Sequence, residues 1–349
     1  MNTSLTKLLR IRCPILLAAM DLVADAKLTV AVSEAGGFGI LGAGYGDAVW
    51  LERELAQIAK MRGGRKIPFG VGFITWSLCD QPELLDQALA AKPDAVWLSF
   101  GDPAPFAGKI KAAGALLICQ VQTEAMARDA VSKGADIIVA QGTEAGGHGM
   151  SRGVFTLVPA VVDAVGHKVP VVLAGGVVDG RGLAAAFMLG AQGVTLGTRF
   201  YACEEAAGHP NAKARIVAAS GDDTVRSTVF DILRQRAWPG PYTGRCLANE
   251  NTREWVGREN ELINQISAES QRYLAAKGRG DFDIAAVIAG ECAGLIHNVP
   301  SAAQIIRSVV EQTNELMGTQ AEHIFNDFTR DETRLPSSLR VRWKHSSWS

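Results

Sequence analysis

One glycine-rich stretch carries the residue types best suited to chemistry. It spans residues 141–150 and reads QGTEAGGHGM. Gly146 and Gly147 have no Cβ, so a flat ligand can approach the backbone closely, and His148 has a side chain whose ordinary pKa lies near neutrality. The stretch follows an apolar run at 135–140 and precedes a helical pattern that ends at Gly166. We therefore expect a loop at the carboxyl end of a strand. A plain turn would also fit this sequence, so its meaning depends on the surrounding elements.

Eight apolar runs of strand length alternate with helical patterns along the first two thirds of the chain. Because the runs are continuously apolar, they are typical of parallel strands covered on both faces. Eight strand–helix units favour an α/β fold of the closed (β/α)8 TIM barrel type over an open doubly wound sheet. The predicted strands lie at 14–20, 38–44, 67–74, 94–100, 115–121, 135–140, 169–174 and 192–196, and the eighth helix lies around 212–219.

The remainder of the chain changes character. We assign the barrel to residues 1–220 and expect residues 221–349 to form a mostly helical C-terminal segment that packs at the barrel mouth. The predicted helices of this segment lie at 222–236, 254–276, 284–296 and 301–317, and its last fifteen residues are basic and expected to be poorly ordered.

Two strand-end loops favour an anion site. Ala174, Gly175 and Gly176 end the seventh strand, and Gly197 and Thr198 end the eighth. Both loops offer unhindered backbone N–H groups next to a helix start, and TIM barrels often bind phosphate between these two loops. Either loop alone could be a tight turn. Because both occur at the expected positions, we predict a phosphate site.

Other strand ends supply the walls of the same cavity. Two amides and a Gly-Gly-His loop suit a flat heterocycle with several hydrogen-bonding edges, such as an isoalloxazine. The glutamines could equally be polar residues of the rim. These candidate wall residues are Ala19, Met20, Gly72, Gln120 and Gln141. The G-x-G-x-x-G at 37–42 runs through the second predicted strand, so we reject a dinucleotide fingerprint there.

Composition excludes several classes of function. The net charge is −1, with 35 basic and 36 acidic residues. Because the chain has no excess of basic residues, its composition does not point to nucleic acid or an anionic membrane as a partner. No apolar run is long enough to span a membrane, and residues 1–12 do not resemble a signal peptide. The six cysteines are far apart, which argues against zinc or a disulfide framework and fits the cytoplasm. We expect no metal site and a small-molecule substrate.

Three segments together resemble the FMN-dependent nitronate monooxygenases, formerly called 2-nitropropane dioxygenases. They are residues 141–149, 174–182 and 196–200, and the resemblance continues at 289–296. It implies an enzyme, a monomer or homodimer, that oxidises alkyl nitronates with O2 to a carbonyl compound and nitrite. His148 would position the nitro group, or act as base if a neutral nitroalkane is used.

The resemblance also implies where FMN binds. The phosphate would lie at Gly175, Gly176, Gly197 and Thr198. The ring would lie against Ala19, Met20, Gly146 and Gly147, with Gln120 reaching the ring or the ribityl chain.

Departures from the family pattern leave alternatives open. Family members often have asparagine where this chain has Gly72, and glutamine where it has Glu291, a further candidate cofactor-binding residue. An FMN-dependent NAD(P)H reductase of enoyl thioesters, like the flavin-dependent enoyl-acyl-carrier-protein reductases, or of quinones is the main alternative. A third hypothesis is a flavin-binding protein that catalyses no reaction.

Overall fold

The structure is a computed structural model that describes residues 1–320. Its strands are β1 (Ile15–Leu17), β2 (Gly39–Gly44), β3 (Phe69–Ile74), β4 (Ala95–Ser99), β5 (Leu116–Val121), β6 (Ile137–Gln141), β7 (Gly147–Gly149), β8 (Val171–Ala174), β9 (Val194–Leu196), β10 (Thr224–Ser227) and β11 (Thr243–Leu247).

Sixteen α-helices accompany these strands in the described residues. They are α1 (Ser4–Leu9), α2 (Ala26–Glu34), α3 (Ala48–Arg62), α4 (Thr75–Asp80), α5 (Glu83–Ala90), α6 (Ala104–Ala112), α7 (Glu124–Ser132), α8 (Val154–Val165), α9 (Gly180–Met188), α10 (Thr198–Tyr201), α11 (Pro210–Ala218), α12 (Val229–Leu233), α13 (Glu250–Trp255), α14 (Glu259–Asn264), α15 (Ile266–Gly278) and α16 (Ala302–Glu315).

Eight parallel strands form the predicted TIM barrel. Their order is β1-β9-β8-β6-β5-β4-β3-β2, and a parallel bridge between Leu16 and Phe38 joins the two ends of the sheet. Seven of the eight strands lie within a predicted apolar run and β6 extends one residue beyond its run, so the predicted fold class is confirmed. Because all strands are parallel, their carboxyl ends meet at one mouth, where the candidate loops also end.

Side-chain alternation along the strands directs polar groups into the barrel. In β5, Leu117 and Cys119 pack outward against the helices, whereas Ile118 packs inside the barrel. The residue that follows on the inner side is Gln120. The same alternation in β9 sends Val194 outward and leaves Thr195 on the inner side. The inner core therefore becomes polar as the strands approach the mouth.

A small antiparallel sheet stands beside the mouth. Its order is β10-β11-β7, and His148 of β7 is paired with Gly244 of β11. The residues that follow β9 thus add a strand pair to the Gly-Gly-His loop. The prediction of a helix at 222–236 is wrong for the first half of that segment, because Thr224–Ser227 is a strand that pairs with β11. Its second half contains the short helix α12.

The eighth outer helix of the barrel is α16 and not the predicted helix at 212–219. The helix α16 packs against α9 and α2, which places it in the outer ring between the last and the first strand–helix units. Ser301 caps α16 and forms a capping box with Gln304. We expected this helix at the mouth, but it lies on the side of the barrel. Residues 203–300 consequently form an insertion between β9 and the helix that completes its unit.

Two other helices predicted in the insertion are wrong in extent. The predicted helix at 254–276 is three helices, because Gly257 has a φ of +83° that an α-helix cannot contain. The predicted helix at 284–296 contains only a 3-10 turn at Glu291–Leu295.

The division of the chain at residue 220 stays a prediction, and the basic end that we expected to be poorly ordered lies outside the described residues. Within residues 1–320, none of the helices has the length and apolar character needed to cross a membrane.

Candidate active site

A cavity of about 400 Å³ lies between the barrel mouth and the insertion. It brings together thirteen of the fourteen predicted site residues, although these come from six barrel strands, or the loops after them, that are distant in sequence. The predicted residues that line it are Ala19, Met20, Gly72, Gln120, Gln141, Gly146, Gly147, His148, Ala174, Gly175, Gly176, Gly197 and Thr198. The remaining one, Glu291, is not among the lining residues.

Three glutamines form a hydrogen-bonded relay beneath the Gly-Gly-His loop. The Gln141 Nε2 donates to the backbone oxygen of His148 at 2.9 Å. The Gln141 Oε1 accepts from Gln120 at 2.9 Å and from Gln122 at 2.8 Å. Gln141 therefore uses its amide to hold His148 in place, whereas the Gln120 oxygen has no protein partner among the described residues and lines the cavity.

Two arginines hold the same loop from the other side. Arg226 donates to the backbone oxygens of Thr143 at 2.9 Å and Ala145 at 3.1 Å. Arg245 donates to the Thr143 oxygen at 3.0 Å. Burial, reinforced by the nearby charge of Arg245, lowers the pKa of Arg226 to about 10. Both arginines come from the β10–β11 pair, so the insertion fixes the loop that carries His148.

His148 is hydrogen-bonded to a buried carboxylate. Its Nε2 lies 2.8 Å from one oxygen of Asp231 and 3.0 Å from the other. His148 is 9% exposed and Asp231 only 3%. Burial lowers the pKa of His148 below its ordinary value, and the hydrogen bond to Asp231 opposes this shift. The imidazole is therefore neutral near pH 7 and has a fixed orientation.

An aromatic cluster covers the imidazole. The Trp238 ring stacks on it with centroids 3.3 Å apart and planes 7° from parallel. The ring centroid of Phe230 lies 5.4 Å from that of His148 and the centroid of Phe100 lies 6.3 Å from it, both in T-shaped arrangements. The Trp238 Nε1 donates to the Tyr45 hydroxyl at 2.8 Å, which ties the insertion to the loop after β2. This cluster shields His148 from solvent.

The glycine loops after β8 and β9 fit a phosphate. Gly175 and Gly176 have φ values of +111° and +73°, which side chains other than glycine rarely adopt. Around Gly197 the nearest atom to an added Cβ is 3.5 Å away, so its backbone is open to the cavity. The buried Thr195 hydroxyl has no partner among the described residues and lines the same space. A ligand with acceptor oxygens would satisfy these donors.

Backbone packing explains the glycine at 146. A Cβ at Gly146 would lie 2.6 Å from the Ala289 backbone and 2.7 Å from the Gly290 nitrogen. The Gly290 N–H donates to the Thr198 hydroxyl at 2.9 Å. The segment around Gly290 thus joins the Gly-Gly-His loop to the start of α10. This contact accounts for the recurrence of the family pattern so late in the chain.

Glu291 lies next to this segment, but its side chain points elsewhere. It pairs with Arg245 at 2.8 Å and is 43% exposed. The structure shows its carboxylate engaged by Arg245, and its predicted contact with the cofactor stays a prediction. Its neighbour Cys292 lines the cavity.

The cavity-lining residues that the insertion contributes were not predicted from the sequence. They lie more than 80 positions after His148, in a segment without a recognisable motif. Arg234 and Lys277 bring positive charge to the cavity, and neither forms an ion pair or a hydrogen bond within the described residues. The missed lining residues include Asp21, Tyr45, Phe100, Thr195, Phe230, Arg234, Trp238 and Lys277.

Comparison with known proteins assigns this architecture to a family. The sequence profile of the nitronate monooxygenases matches residues 2–88 and 80–312. Nitronate monooxygenase npaC of Metarhizium robertsii is 34% identical over 343 residues, which cover 90% of this chain and 94% of that protein.

Two solved structures share the fold over nearly their whole length. FabK from Thermotoga maritima has a TM-score of 0.80 and 31% identity, and the match covers 93% of this chain and 99% of that one. Nitroalkane oxidase from Streptomyces ansochromogenes has a TM-score of 0.75 and 26% identity, with 90% and 98% covered. The chain belongs to the nitronate monooxygenase family, and it is an oxidoreductase of that type.

Proposed function

We propose that this protein binds FMN and oxidises alkyl nitronates with O2, yielding a carbonyl compound and nitrite. The observation that carries the proposal is the position of His148. It is a neutral, oriented imidazole that lines the same cavity as the glycine loops after β8 and β9. Family membership supports the substrate class, and the likeness to a nitroalkane oxidase agrees with it.

The residues present suit FMN. Gly175, Gly176, Gly197 and Thr198 would hold its phosphate through backbone N–H groups at a helix start. Ala19, Met20, Gly146 and Gly147 would lie against its ring, and the free oxygen of Gln120 would accept a hydrogen bond from the ring or the ribityl chain. When bound, FMN supplies the two-electron redox chemistry that no side chain of the protein can perform.

The protein's own contribution is binding, orientation and exclusion of water. His148 would contact the reacting end of the substrate with an imidazole whose orientation Asp231 fixes. Trp238 and Phe100 would keep the reacting carbon out of bulk solvent, which strengthens the interaction with His148. Because Gln141 and Arg226 fix the loop, this geometry exists before the substrate arrives.

The decisive experiment follows the flavin absorbance of the FMN-loaded protein after anaerobic mixing with propionate 3-nitronate. We expect rapid bleaching by the nitronate, none by NADH or NADPH, and formation of nitrite once O2 is admitted. Bleaching by the nicotinamides alone would contradict the proposal and would assign the protein to the NAD(P)H reductases of enoyl thioesters or quinones.

Substitution of His148 separates catalysis from binding of the flavin. In His148→Ala we expect FMN content to be retained and nitronate turnover to fall roughly 10- to 100-fold, because the substrate loses the imidazole that positions it. If the variant loses its flavin instead, His148 is a structural residue.

A further inference from the structure

A second cavity, of about 250 Å³, lies outside the barrel wall and beside the candidate active site. Its lining includes Leu98, Cys119 and Val121, which β4 and β5 direct away from the barrel interior. The helix α7 closes its other side with Met126 and Ala130. The proposed function as stated so far makes no use of this space.

The inner part of the second cavity is apolar. Leu98 and Val121 are buried, and so is Cys119, where burial raises the pKa of the thiol to about 12. A thiol with so high a pKa stays neutral and behaves as a small apolar group. An alkyl chain would gain free energy there by leaving water, whereas a polar group would lose hydrogen bonds.

The outer end of the second cavity carries an ion-paired cluster. The Lys133 Nζ lies 2.9 Å from a carboxylate oxygen of Asp102 and 2.6 Å from one of Asp129. All three residues line the cavity. Because the two carboxylates already neutralise Lys133, this end is not suited to an anionic group. The chemistry of the lining therefore favours an uncharged chain that enters from the inner end.

One aromatic side chain separates the two cavities. Phe100 lines both of them, and Gln120 is the other residue that they share. Its backbone φ is +63°, which a phenylalanine rarely adopts, and strained residues of this kind cluster at active sites and ligand clamps. The ring centroid lies 5.0 Å from that of Trp238 and 5.1 Å from that of Tyr242. Since it lies 6.3 Å from the His148 ring, the second cavity begins one aromatic ring beyond the site of reaction.

We propose that the second cavity binds the alkyl tail of the substrate and that Phe100 is the side chain the tail must pass, so that the enzyme prefers unbranched nitronates of medium chain length. This inference rests on the proposed function, since it places the tail of a substrate whose reacting end lies at His148. Only ring contacts hold the Phe100 side chain. Its displacement by a tail therefore breaks no hydrogen bond.

The test measures kcat/KM of the FMN-loaded enzyme for ethyl, butyl, hexyl and octyl nitronates. Ala130→Met fills the second cavity from α7 and leaves the active-site cavity unchanged. Ala127→Met is the matched control, because Ala127 is a buried alanine of the same helix that lines neither cavity. Met126→Ala makes the opposite change and deepens the second cavity.

In wild type we expect kcat/KM to rise about threefold for each methylene added between ethyl and hexyl nitronate, as for burial of one CH₂ group. Ala130→Met should lower the hexyl-to-ethyl ratio about tenfold and keep ethyl nitronate within about threefold of wild type. Ala127→Met should leave the ratio unchanged. Met126→Ala should raise the octyl-to-hexyl ratio about threefold, and this variant carries the test if Ala130→Met does not fold.

Several results would overturn the inference. Oxidation of ethyl nitronate without any dependence on chain length would leave the proposed function intact and refute the tail site. Equal changes of the ratio in Ala130→Met and Ala127→Met would mean that disturbance of α7, and not the cavity, is responsible.

Failure with every nitronate would refute the proposed function itself. The tail site would then be tested with 1-hexanol, an unreactive ligand, by following tryptophan fluorescence, because Trp238 contacts the Phe100 ring. We expect 1-hexanol to bind about tenfold more tightly to wild type than to Ala130→Met, and equal affinities would exclude the tail site.

Discussion

The cavity has two walls that are built from different chemical groups. The glycine wall, formed by Gly175, Gly176, Gly197 and Thr198, offers mainly backbone N–H groups of the barrel. The insertion wall, formed by Phe230, Arg234 and Trp238, offers large charged and aromatic side chains. A backbone donor survives most sequence changes, whereas each group of the insertion wall depends on one side chain. We infer that the glycine wall serves the cofactor and that the insertion wall sets the reaction and the substrate.

His148 lies where the two walls meet. It follows the glycines of the loop, but it is paired with β11 of the insertion and contacts Asp231. If the walls have separate roles, a change in one should alter cofactor binding and a change in the other should alter turnover.

The largest effect should come from breaking the glycine wall. Gly176→Val places a β-branched residue at a φ of +73° and fills the cradle, so we expect FMN affinity to fall about 100-fold through loss of roughly two hydrogen bonds to a charged phosphate. Isothermal titration of the apoprotein with FMN measures this change.

The matched control for Gly176 is Gly64→Val. Gly64 has a similar φ of +81°, but it is exposed and nothing lies within 4 Å of an added Cβ. It should carry the backbone strain without loss of FMN. Equal flavin loss in both variants would mean that strain, and not the cradle, accounts for the result.

An intermediate effect should come from the insertion wall. Trp238→Ala removes the ring stacked on His148 and widens the cavity, so kcat/KM for a bulky nitronate relative to a small one should rise about tenfold, in line with 1–3 kcal/mol for a change in pocket size. FMN affinity should stay the same. Competition between 1-nitrohexane and nitroethane nitronates provides the measurement.

Trp76→Ala is the control for that change. Trp76 belongs to the same aromatic cluster, 5.4 Å from Trp238, but it does not line the cavity. If both variants shift the preference equally, general loosening of the cluster is responsible and the insertion wall does not set substrate size.

The smallest effect concerns stability. Because burial lowers the pKa of His148 below 6.5, the unfolded chain binds a proton at a higher pH than the folded protein. The free energy of unfolding should therefore fall as pH decreases below about 6.5. The charged groups that act on this ring are Asp231, which opposes the shift, and Arg234 and Arg226, which add to it.

Urea denaturation between about pH 7 and pH 5 tests this assignment. The pH-dependent loss should be smaller in His148→Gln than in wild type, and unchanged in His167→Gln, whose residue is exposed in a loop. Identical slopes in wild type and His148→Gln would show that His148 does not titrate differently in the folded state.

The sequence was sufficient for the barrel and for the glycine wall, for a physical reason. Strands covered on both faces must be continuously apolar, and glycines mark where they end, so both features are local in sequence. Gly175 and Gly197 could be placed at one mouth simply because parallel strands end together.

The insertion wall could not be predicted in the same way. Asp231 meets His148 through β10, β11 and β7, and the antiparallel pairing of β11 with β7 joins residues about 95 positions apart. The pattern at 222–236 also fits a helix, which concealed the strand Thr224–Ser227. A carboxylate in such a segment gives no local signal of its partner. Glu291 shows the converse, since a motif position suggested a cofactor contact and the ion pair with Arg245 shows a different use.

The position of α16 has a consequence for synthesis of the protein on the ribosome. The last helix of the outer ring, which packs against α9 and α2, is translated about 100 residues after β9. The nascent barrel therefore exposes the apolar surface between α9 and α2 until the whole insertion has left the exit tunnel. A chain truncated before Ala302 would keep every residue of the cavity, yet it would leave Leu183 and Val32 uncovered and prone to aggregation.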